Sequence, residues 1–353
     1  MDLRIAVLPG DGIGTEVLRE GVKVIEAVAE ICGRRIAFEH FDYGADRYLR
    51  EGIALPDDDL RMLSERFDAI YLGALGDPRI PDSAHAREIL LGMRFKLDLY
   101  INLRPIRLLD DALSPLKGKG VKEIDFTVFR ENTEGEYVGV GGFFKKGTPD
   151  EIAMEQSVNS RRGVERIIVA AFEYAKAHGL RSVCMADKHN ALRFGHDLWD
   201  RVFQDVRERY PEIHARHLYV DALVMEMIRA PEQFDVIVTC NLFGDIVTDL
   251  GAQLQGGMGM AVSGNIHPGR TSMFEPVHGS APDIAGKNLA NPLAAILTAA
   301  LMLDHLGLGE DATLIERAVK ACWQARRVTR DVGGALSTSE AGDAVVSELR
   351  SLR

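Results

Sequence analysis

Asn241-Leu242-Phe243-Gly244-Asp245-Ile246-Val247-Thr248-Asp249 concentrates groups that can do chemistry. Asp245 and Asp249 stand at i and i+4, so a helix would set both carboxylates on one face. Two carboxylates that close repel each other unless a cation lies between them, and hard oxygen donors suit Mg²⁺ or Mn²⁺. Acidic stabilisation of a helix N-terminus, the bland alternative, accounts for Asp245 but not for Asp249 a turn later. Arg94, Arg104 (in Asn102-Leu103-Arg104-Pro105) and Arg130 (in Arg130-Glu131-Asn132-Thr133-Glu134-Gly135) form a scattered cationic set. Arginine offers a planar fork matched to carboxylate, so the three together could clamp a polycarboxylate, although each alone reads first as a surface ion pair.

Three further segments call for a reading. Asp187-Lys188-His189-Asn190 follows an apolar run, and a lysine beside other cations or a metal can have its pKa lowered into general-base range. A solvated turn lysine is the other reading. Glu275-Pro276-Val277-His278-Gly279-Ser280-Ala281-Pro282-Asp283-Ile284-Ala285-Gly286, reaching Asn291-Pro292, is an ordered loop by its prolines and glycines. An acidic side chain in such a loop could also accept hydrogen bonds from a ribose diol and repel a 2′-phosphate. Leu8-Pro9-Gly10-Asp11-Gly12-Ile13-Gly14 has the spacing G-x-G-x-G, not the dinucleotide fingerprint G-x-G-x-x-G, and a tight turn alone explains its glycines. No G-x-x-x-x-G-K-[ST] motif occurs, which excludes a P-loop.

The elements that must position these groups alternate. Leu3–Leu8, Phe67–Leu72, Phe126–Phe129, Ser182–Met185 and Phe234–Thr239 read as mostly buried strands. Over 163–178, Val164, Ile167, Ile168, Ala171, Phe172 and Ala175 follow helical spacing, with Gly179 placed as a stop. Leu18, Val22, Ile25 and Val28 do the same in a first helix. This alternation predicts an α/β fold with a mostly parallel sheet covered by helices. From Gly135 to Val158 the chain departs from the rhythm with glycines, prolines, Phe143-Phe144 and the β-prone Ile152–Val158, predicting a hairpin that pairs with another subunit. Gly256-Gly257-Met258-Gly259-Met260 reads as loop.

Composition narrows the partners. The 353 residues carry 42 Lys plus Arg against 53 Asp plus Glu, a net charge of −11 that argues against nucleic acid and against an anionic membrane. Cys32, Cys184, Cys240 and Cys322 form no metal or disulfide spacing and suit a reducing, cytoplasmic setting. The apolar stretch Leu293–Leu303 falls short of the roughly 20 residues that cross a bilayer and reads as a buried helix.

Taken together the residues resemble the β-decarboxylating dehydrogenases, which include isopropylmalate, isocitrate, homoisocitrate and tartrate/D-malate dehydrogenases. The resemblance runs from Pro9-Gly10-Asp11-Gly12-Ile13-Gly14 to Asn291-Pro292, and Asn241–Ile246 with Asp249 is its most specific stretch. It implies an isopropylmalate dehydrogenase-like fold of two interleaved open α/β domains. Residues 1–99 plus 252–353 would bind the cofactor; residues 100–251 would bind substrate and metal, with a dimerisation arm at about 135–158. It also implies that the early glycine turn is structural and that NAD lies on a loop comprising His278, Gly279, Ser280, Ala281, Asp283, Ile284 and Asn291, with Asp283 and Asn291 at the adenosine half.

The same resemblance assigns roles. Arg94, Arg104 and Arg130 would hold substrate carboxylates, and Asp245 and Asp249, with Asp221 from the other subunit of a homodimer, would bind Mg²⁺ or Mn²⁺. Lys188, also from the other subunit, would be the base and Tyr137 the acid. Asp221 then borders the substrate as well. Asp283-Ile284 favours NAD over NADP. Leu90 and Leu91 would face an isopropyl group, whose burial is worth roughly 2 kcal/mol. The implied reaction converts 3-isopropylmalate to 4-methyl-2-oxopentanoate and CO₂, in leucine biosynthesis. The alternatives are tartrate or D-malate, isocitrate or homoisocitrate, and, from another class, a non-catalytic regulatory relative.

Overall fold

The structure is a computed structural model and describes residues 2–352. The chain opens with β1 (Asp2–Leu8), α1 (Gly14–Cys32), β2 (Arg35–His40), α2 (Ala45–Glu51), α3 (Asp57–Arg66) and β3 (Ala69–Leu72). After α4 (Ala84–Ala86) comes a π-helical segment, Arg87–Leu91, and then α5 (Gly92–Lys96). The middle runs β4 (Ile101–Arg107), β5 (Asp125–Glu131), β6 (Gly141–Phe144), β7 (Ile152–Glu155), α6 (Arg161–Ala177), β8 (Ser182–Asp187) and α7 (Gly195–Arg207). It continues through β9 (His214–Tyr219), α8 (Val220–Arg229), β10 (Val236–Thr239) and α9 (Asn241–Leu254). The last elements are β11 (Val262–Ile266), β12 (Ser272–Pro276), α10 (Leu293–His305), α11 (Gly309–Gln324) and α12 (Thr338–Ser351).

Two compact units emerge, Met1–Leu99 with Leu109–Pro115 and Gln255–Arg353, and Tyr100–Leu108 with Leu116–Leu254. Residues 109–115 therefore group with the chain ends, and residues 252–254 with the middle.

In the first unit the strand order is β2-β1-β3-β12-β11, parallel except for the antiparallel pair β11–β12. Helix α1 forms because apolar residues recur on one face; Val17, Leu18, Val24, Ile25 and Val28 are buried, and the chain leaves the helix at Gly33 in the left-handed region. Helix α10 is apolar nearly all round and is mostly buried as far as Leu303, as the Leu293–Leu303 run predicts. A core cluster of Leu8, Tyr43, Leu63, Leu72, Ile89 and Met93 fixes the Arg87–Lys96 segment to the sheet.

The second unit orders its strands β4-β5-β10-β8-β9, with β4–β5 antiparallel and the others parallel. Strands β8 and β10 read as continuous apolar runs because a parallel sheet is covered on both faces. Helix α6 covers one face with Val164, Ile167, Ile168, Ala171, Phe172 and Ala175, and Ser160 caps it by accepting the Gly163 N–H at 3.0 Å. Strands β6 and β7 form an antiparallel hairpin whose Phe143, Phe144, Ile152 and Met154 are all exposed.

Two expected strands begin later than their apolar runs. Phe67 and Phe234 are buried but lie in the loops before β3 and β10. The reason is physical: apolarity reports burial, whereas a strand is defined by hydrogen bonding. Among the described residues no helix is long and apolar enough to cross a membrane.

Candidate active site

Helix α9 leaves the end of β10 and presents Asp245 to two buried arginines of neighbouring strands. Asp245 Oδ1 accepts from Arg130 at 2.5 Å and from Arg104 at 3.5 Å, and its Oδ2 accepts the Tyr137 hydroxyl at 2.7 Å. The Arg130 Nε donates to Asn241 Oδ1 at 2.9 Å, and its guanidinium lies 5.2 Å from the Tyr137 ring centroid. Arg104 also donates to Thr248 Oγ1, which itself donates to the Gly244 carbonyl at 2.7 Å. Buried guanidinium groups require such partners, since an uncompensated charge in the interior is strongly destabilising. Arg104 lies inside β4; one residue in two along a strand faces a given side, so a strand interior can present a side chain to a site.

Asp249 follows one turn later on α9 and is exposed. Partial burial pushes its carboxyl above the usual range, and the Asp245 charge pushes the same way. A carboxylate whose proton is favoured by a like-charged neighbour one turn away fits a hard divalent cation between the two.

Lys188 follows β8, and its Nζ lies 2.6 Å from Asp221 Oδ1 on the first turn of α8. That hydrogen bond holds the Asp221 carboxyl below its usual range. Asp187, one residue earlier, is wholly buried; burial favours its protonated form, but hydrogen bonds from His217 and His189 outweigh it and keep the carboxyl below its usual range. Asp221, Asp245 and Asp249 do not converge within one chain. Among the described residues the one group of three or more metal-competent side chains in mutual reach is Asp187, His189 and His217, with ligand atoms within 4.8 Å of one another.

The remaining expected residues belong to the first unit. Arg94 is buried, donates to Glu275 Oε1 at 2.9 Å, and leaves its buried Nε without a partner. Leu90 and Leu91 are half-buried, and Leu90 packs on the core cluster around Ile89 and Met93. The π-helical turn that carries them was not foreseen, and such turns gather at functional positions.

His278, Ile284 and Asn291 line a cavity of about 360 Å³ together with Ile13, Leu289 and Arg330. Burial pushes the His278 imidazole below its usual pKa, so it is held neutral, and its Nε2 is buried without a partner. The Asn291 amide donates to Asp331 at 2.8 Å and accepts the Leu293 N–H at 2.9 Å, which orients it at the cavity wall. Gly279 and Asp283 are exposed, Ser280 is buried, and Ala281 adopts φ +38, a strained value for a non-glycine residue. An apolar cavity with few polar groups and an unpartnered ring nitrogen fits an adenine-bearing cofactor.

The glycine turn is a brace for that loop. Gly12 sits at φ +54, and a Cβ there would lie 2.1 Å from the Ser280 carbonyl oxygen, while Ile13 N–H donates to the same oxygen at 2.8 Å. Asp11 accepts the Ala45 and Gly76 N–H groups at 2.7 Å and pairs with His85 at 2.8 Å. Sequence reasoning missed Thr248, Asn241 and Asp331 as partners that position the site. The first two lie in the motif already singled out, whereas Asp331 lies far along the chain and carries no local signal.

Comparison with known proteins agrees on one family. The family model described as isocitrate/isopropylmalate dehydrogenase matches residues 4–345. A 3-isopropylmalate dehydrogenase of Thermobifida fusca is 46% identical over 352 residues, covering 98% of each chain. One from Corynebacterium jeikeium is 48% identical over 351 residues, covering 99% of this chain and 100% of that one. A crystal structure of isocitrate dehydrogenase from Methylococcus capsulatus matches with a TM-score of 0.89 at 35% identity, covering 99% of this chain and 100% of that one.

Proposed function

This chain belongs to the isocitrate/isopropylmalate dehydrogenase family and is a decarboxylating dehydrogenase, and we propose that it oxidises 3-isopropylmalate with NAD, releasing CO₂ and 4-methyl-2-oxopentanoate in leucine biosynthesis. The observation that carries the substrate is the shared name of the two relatives, which match this chain over nearly its whole length. Isocitrate is the second reading and rests on the structural neighbour of that name, at the lower identity of 35%.

The residues divide the work. Arg94, Arg104 and Arg130 bind the two carboxylates, and Leu90 and Leu91 take the isopropyl group. Lys188 receives the proton of the 2-hydroxyl. Its amine is held by Asp221 at 2.6 Å, so the acceptor is pre-positioned. Asp245, Asp249 and the partner subunit's Asp221 would hold a divalent cation, Mg²⁺ or Mn²⁺, which would supply Lewis acidity toward the substrate hydroxyl. NAD held on the His278–Asn291 loop would supply the hydride acceptor for the carbon that bears the hydroxyl. Loss of CO₂ then leaves an electron pair on the adjacent carbon, which takes a proton from Tyr137. The His278–Asn291 loop holds the adenosine half, and Asp283 accepts from the ribose diol and repels a 2′-phosphate.

The homodimer in this reading rests on apolar surface. Asp221 shares the exposed stripe of α8 with Met225, 69% exposed, and Ile228, 51% exposed; the spacing i, i+4, i+7 puts all three on one helix face. On α9 exposed Ile246 neighbours Asp249 in the same way. Covering these faces with a second copy carries the aspartates to the interface, and the hairpin with exposed Phe143 and Phe144 extends it. None of the four cysteines is in a disulfide, which fits the proposed cytoplasmic location.

The test is NADH appearance with Mn²⁺ on 3-isopropylmalate, isocitrate, homoisocitrate, D-malate and tartrate side by side. A lead in kcat/KM for 3-isopropylmalate is expected. A lead for any of the others replaces the substrate, and no turnover on any of them refutes the enzymatic reading.

A further inference from the structure

The proposed reaction makes no use of a second cluster in the middle unit. Strands β8 and β9 are parallel neighbours, with Met185 opposite His217 and Asp187 opposite Tyr219. Asp187, with no exposed surface, meets an imidazole at each oxygen. Its Oδ1 lies 2.8 Å from His217 Nε2, and its Oδ2 lies 3.0 Å from His189 Nδ1. The two rings stack with centroids 5.1 Å apart and an interplanar angle of 24°. The far nitrogen of His189, Nε2, lies 3.1 Å from the Tyr219 hydroxyl.

A short contact between a carboxylate and an imidazole nitrogen needs something positive between lone pairs, and there are two ways to supply it. Protons make each contact a hydrogen bond. A single cation makes all three atoms ligands, and the spacing allows this. Two donors about 2.1 Å from one tetrahedral cation stand about 3.4 Å apart. One oxygen of Asp187 and one nitrogen from each ring all lie within 4.8 Å of one another, within reach of that spacing.

The surroundings favour a cation further. An imidazole that ligates a metal nearly always has its other nitrogen hydrogen-bonded, which fixes the ring, and the Tyr219 hydroxyl does this for His189. Access is open on one side, because the His189 and His217 side chains are 30% and 21% exposed while Asp187 closes the floor. Two nitrogens and one carboxylate oxygen suit Zn²⁺ and similar borderline cations, whereas Mg²⁺ prefers oxygens alone. Three protein donors also leave a position for water.

We propose that Asp187, His189 and His217 form a second cation site, selective for Zn²⁺-class ions over Mg²⁺. The inference does not depend on the substrate assigned above. The site ties the end of β8 to β9, the two strands that lead to Lys188 and Asp221, so its occupation stiffens the support of that pair.

The experiment uses the full chain, stripped with a chelator, saturated with Mg²⁺ to fill the all-oxygen aspartate site, and then titrated with Zn²⁺. Competition with a chromophoric chelator reads the affinity, and X-ray absorption at the zinc edge reads the ligands. The expected result is one zinc per chain retained over excess Mg²⁺, with imidazole scattering. His189→Ala then weakens binding by more than about 100-fold, and Tyr219→Phe, which alters only the outer partner, by about tenfold. Thermal melts and far-ultraviolet circular dichroism confirm that each variant is folded; if His189→Ala does not fold, the graded loss in Tyr219→Phe decides. Zinc that fails to bind over Mg²⁺, that binds His189→Ala as tightly as the parent, or that shows sulfur or oxygen donors alone overturns the proposal.

Discussion

Lys188 Nζ and Asp221 Oδ1 stand 2.6 Å apart in one chain. The proposed base and one proposed metal ligand are thus presented as a unit by consecutive strands of the same sheet, whereas Asp245 and Asp249 sit on α9. If Lys188 takes the hydroxyl proton, Lys188→Met lowers kcat by about 10²–10⁴-fold, the usual contribution of a positioned base. The half-exposed side chain leaves the melting temperature little changed. Pre-steady-state NADH formation checks this, and a burst equal to the parent's removes Lys188 from the chemistry.

The proposed division of ligands between two copies gives a sharper test. Lys188→Met and Asp245→Asn each inactivate every site of their own homodimer. If each site takes Lys188 from one copy and Asp245 from the other, a mixed dimer regains one intact site of two. Random exchange makes half of all dimers mixed, so the mixture recovers about a quarter of the parent activity. A mixture that stays inactive after verified subunit exchange shows that both residues serve the same site from one chain.

How much of this was readable beforehand depends on the range of the interaction. Helix α6 was legible because its face repeats every three or four residues within one segment, and the pair Asp245–Asp249 because both lie on one helix. The hairpin showed as aromatic and β-prone residues beside glycine and proline. The hold on Arg130 was not legible as such: Asn241 and Asp245 meet it only because β5 and β10 pair. The π-helical turn at Arg87–Leu91 left no mark either, since its residues also suit an ordinary helix. The His217–Asp187 contact joins neighbouring strands thirty positions apart in the chain.

Gly244 carries a steric demand that follows from those same contacts. A Cβ at this position would lie 2.4 Å from Arg130 Cγ and 2.6 Å from its Cβ, too close for any side chain. Gly244→Ala therefore displaces the guanidinium that holds Asp245 and Asn241. The expected cost is about 1–3 kcal/mol of stability, the usual range for overpacking. KM for the substrate should rise more than kcat falls, because the displaced group binds carboxylate. Urea unfolding and steady-state kinetics check both, and a KM equal to the parent's argues against Arg130 as a substrate ligand.

Stability on the acid side should reflect His278. Burial holds its folded pKa below the ordinary value of 6.5. The unfolded chain therefore takes up a proton near that pH, and the folded one does so only at lower pH. Stability is then fully present above about 6.5 and falls as the solution is acidified below it, until the folded imidazole also titrates. His196, buried and also held low by that burial, adds to the same slope. Replacing His278 with glutamine removes one of these contributions, so the denaturation midpoint of the variant should drop less between pH 7.5 and 5.5. An identical drop in both proteins refutes a neutral, buried His278.

Leu90 and Leu91 are neighbours with different surroundings, which separates specificity from stability. Leu90 rests on the core cluster with Ile89 and Met93, whereas Leu91 is half-buried outside that cluster. Leu90→Ala should cost about 1–2 kcal/mol in unfolding free energy, below the range for a fully buried leucine. Leu91→Ala should cost less. An isopropyl group buried against these leucines is worth roughly 2 kcal/mol, so losing either contact can lower the preference for 3-isopropylmalate over D-malate by up to tens-fold. Paired kcat/KM values on the two substrates, with melts of each variant, distinguish the roles. If Leu91→Ala changes neither the melt nor the preference, Leu91 plays no part in substrate choice. If Leu90→Ala lowers stability while the preference stands, Leu90 is a core residue and the isopropyl group must be recognised elsewhere.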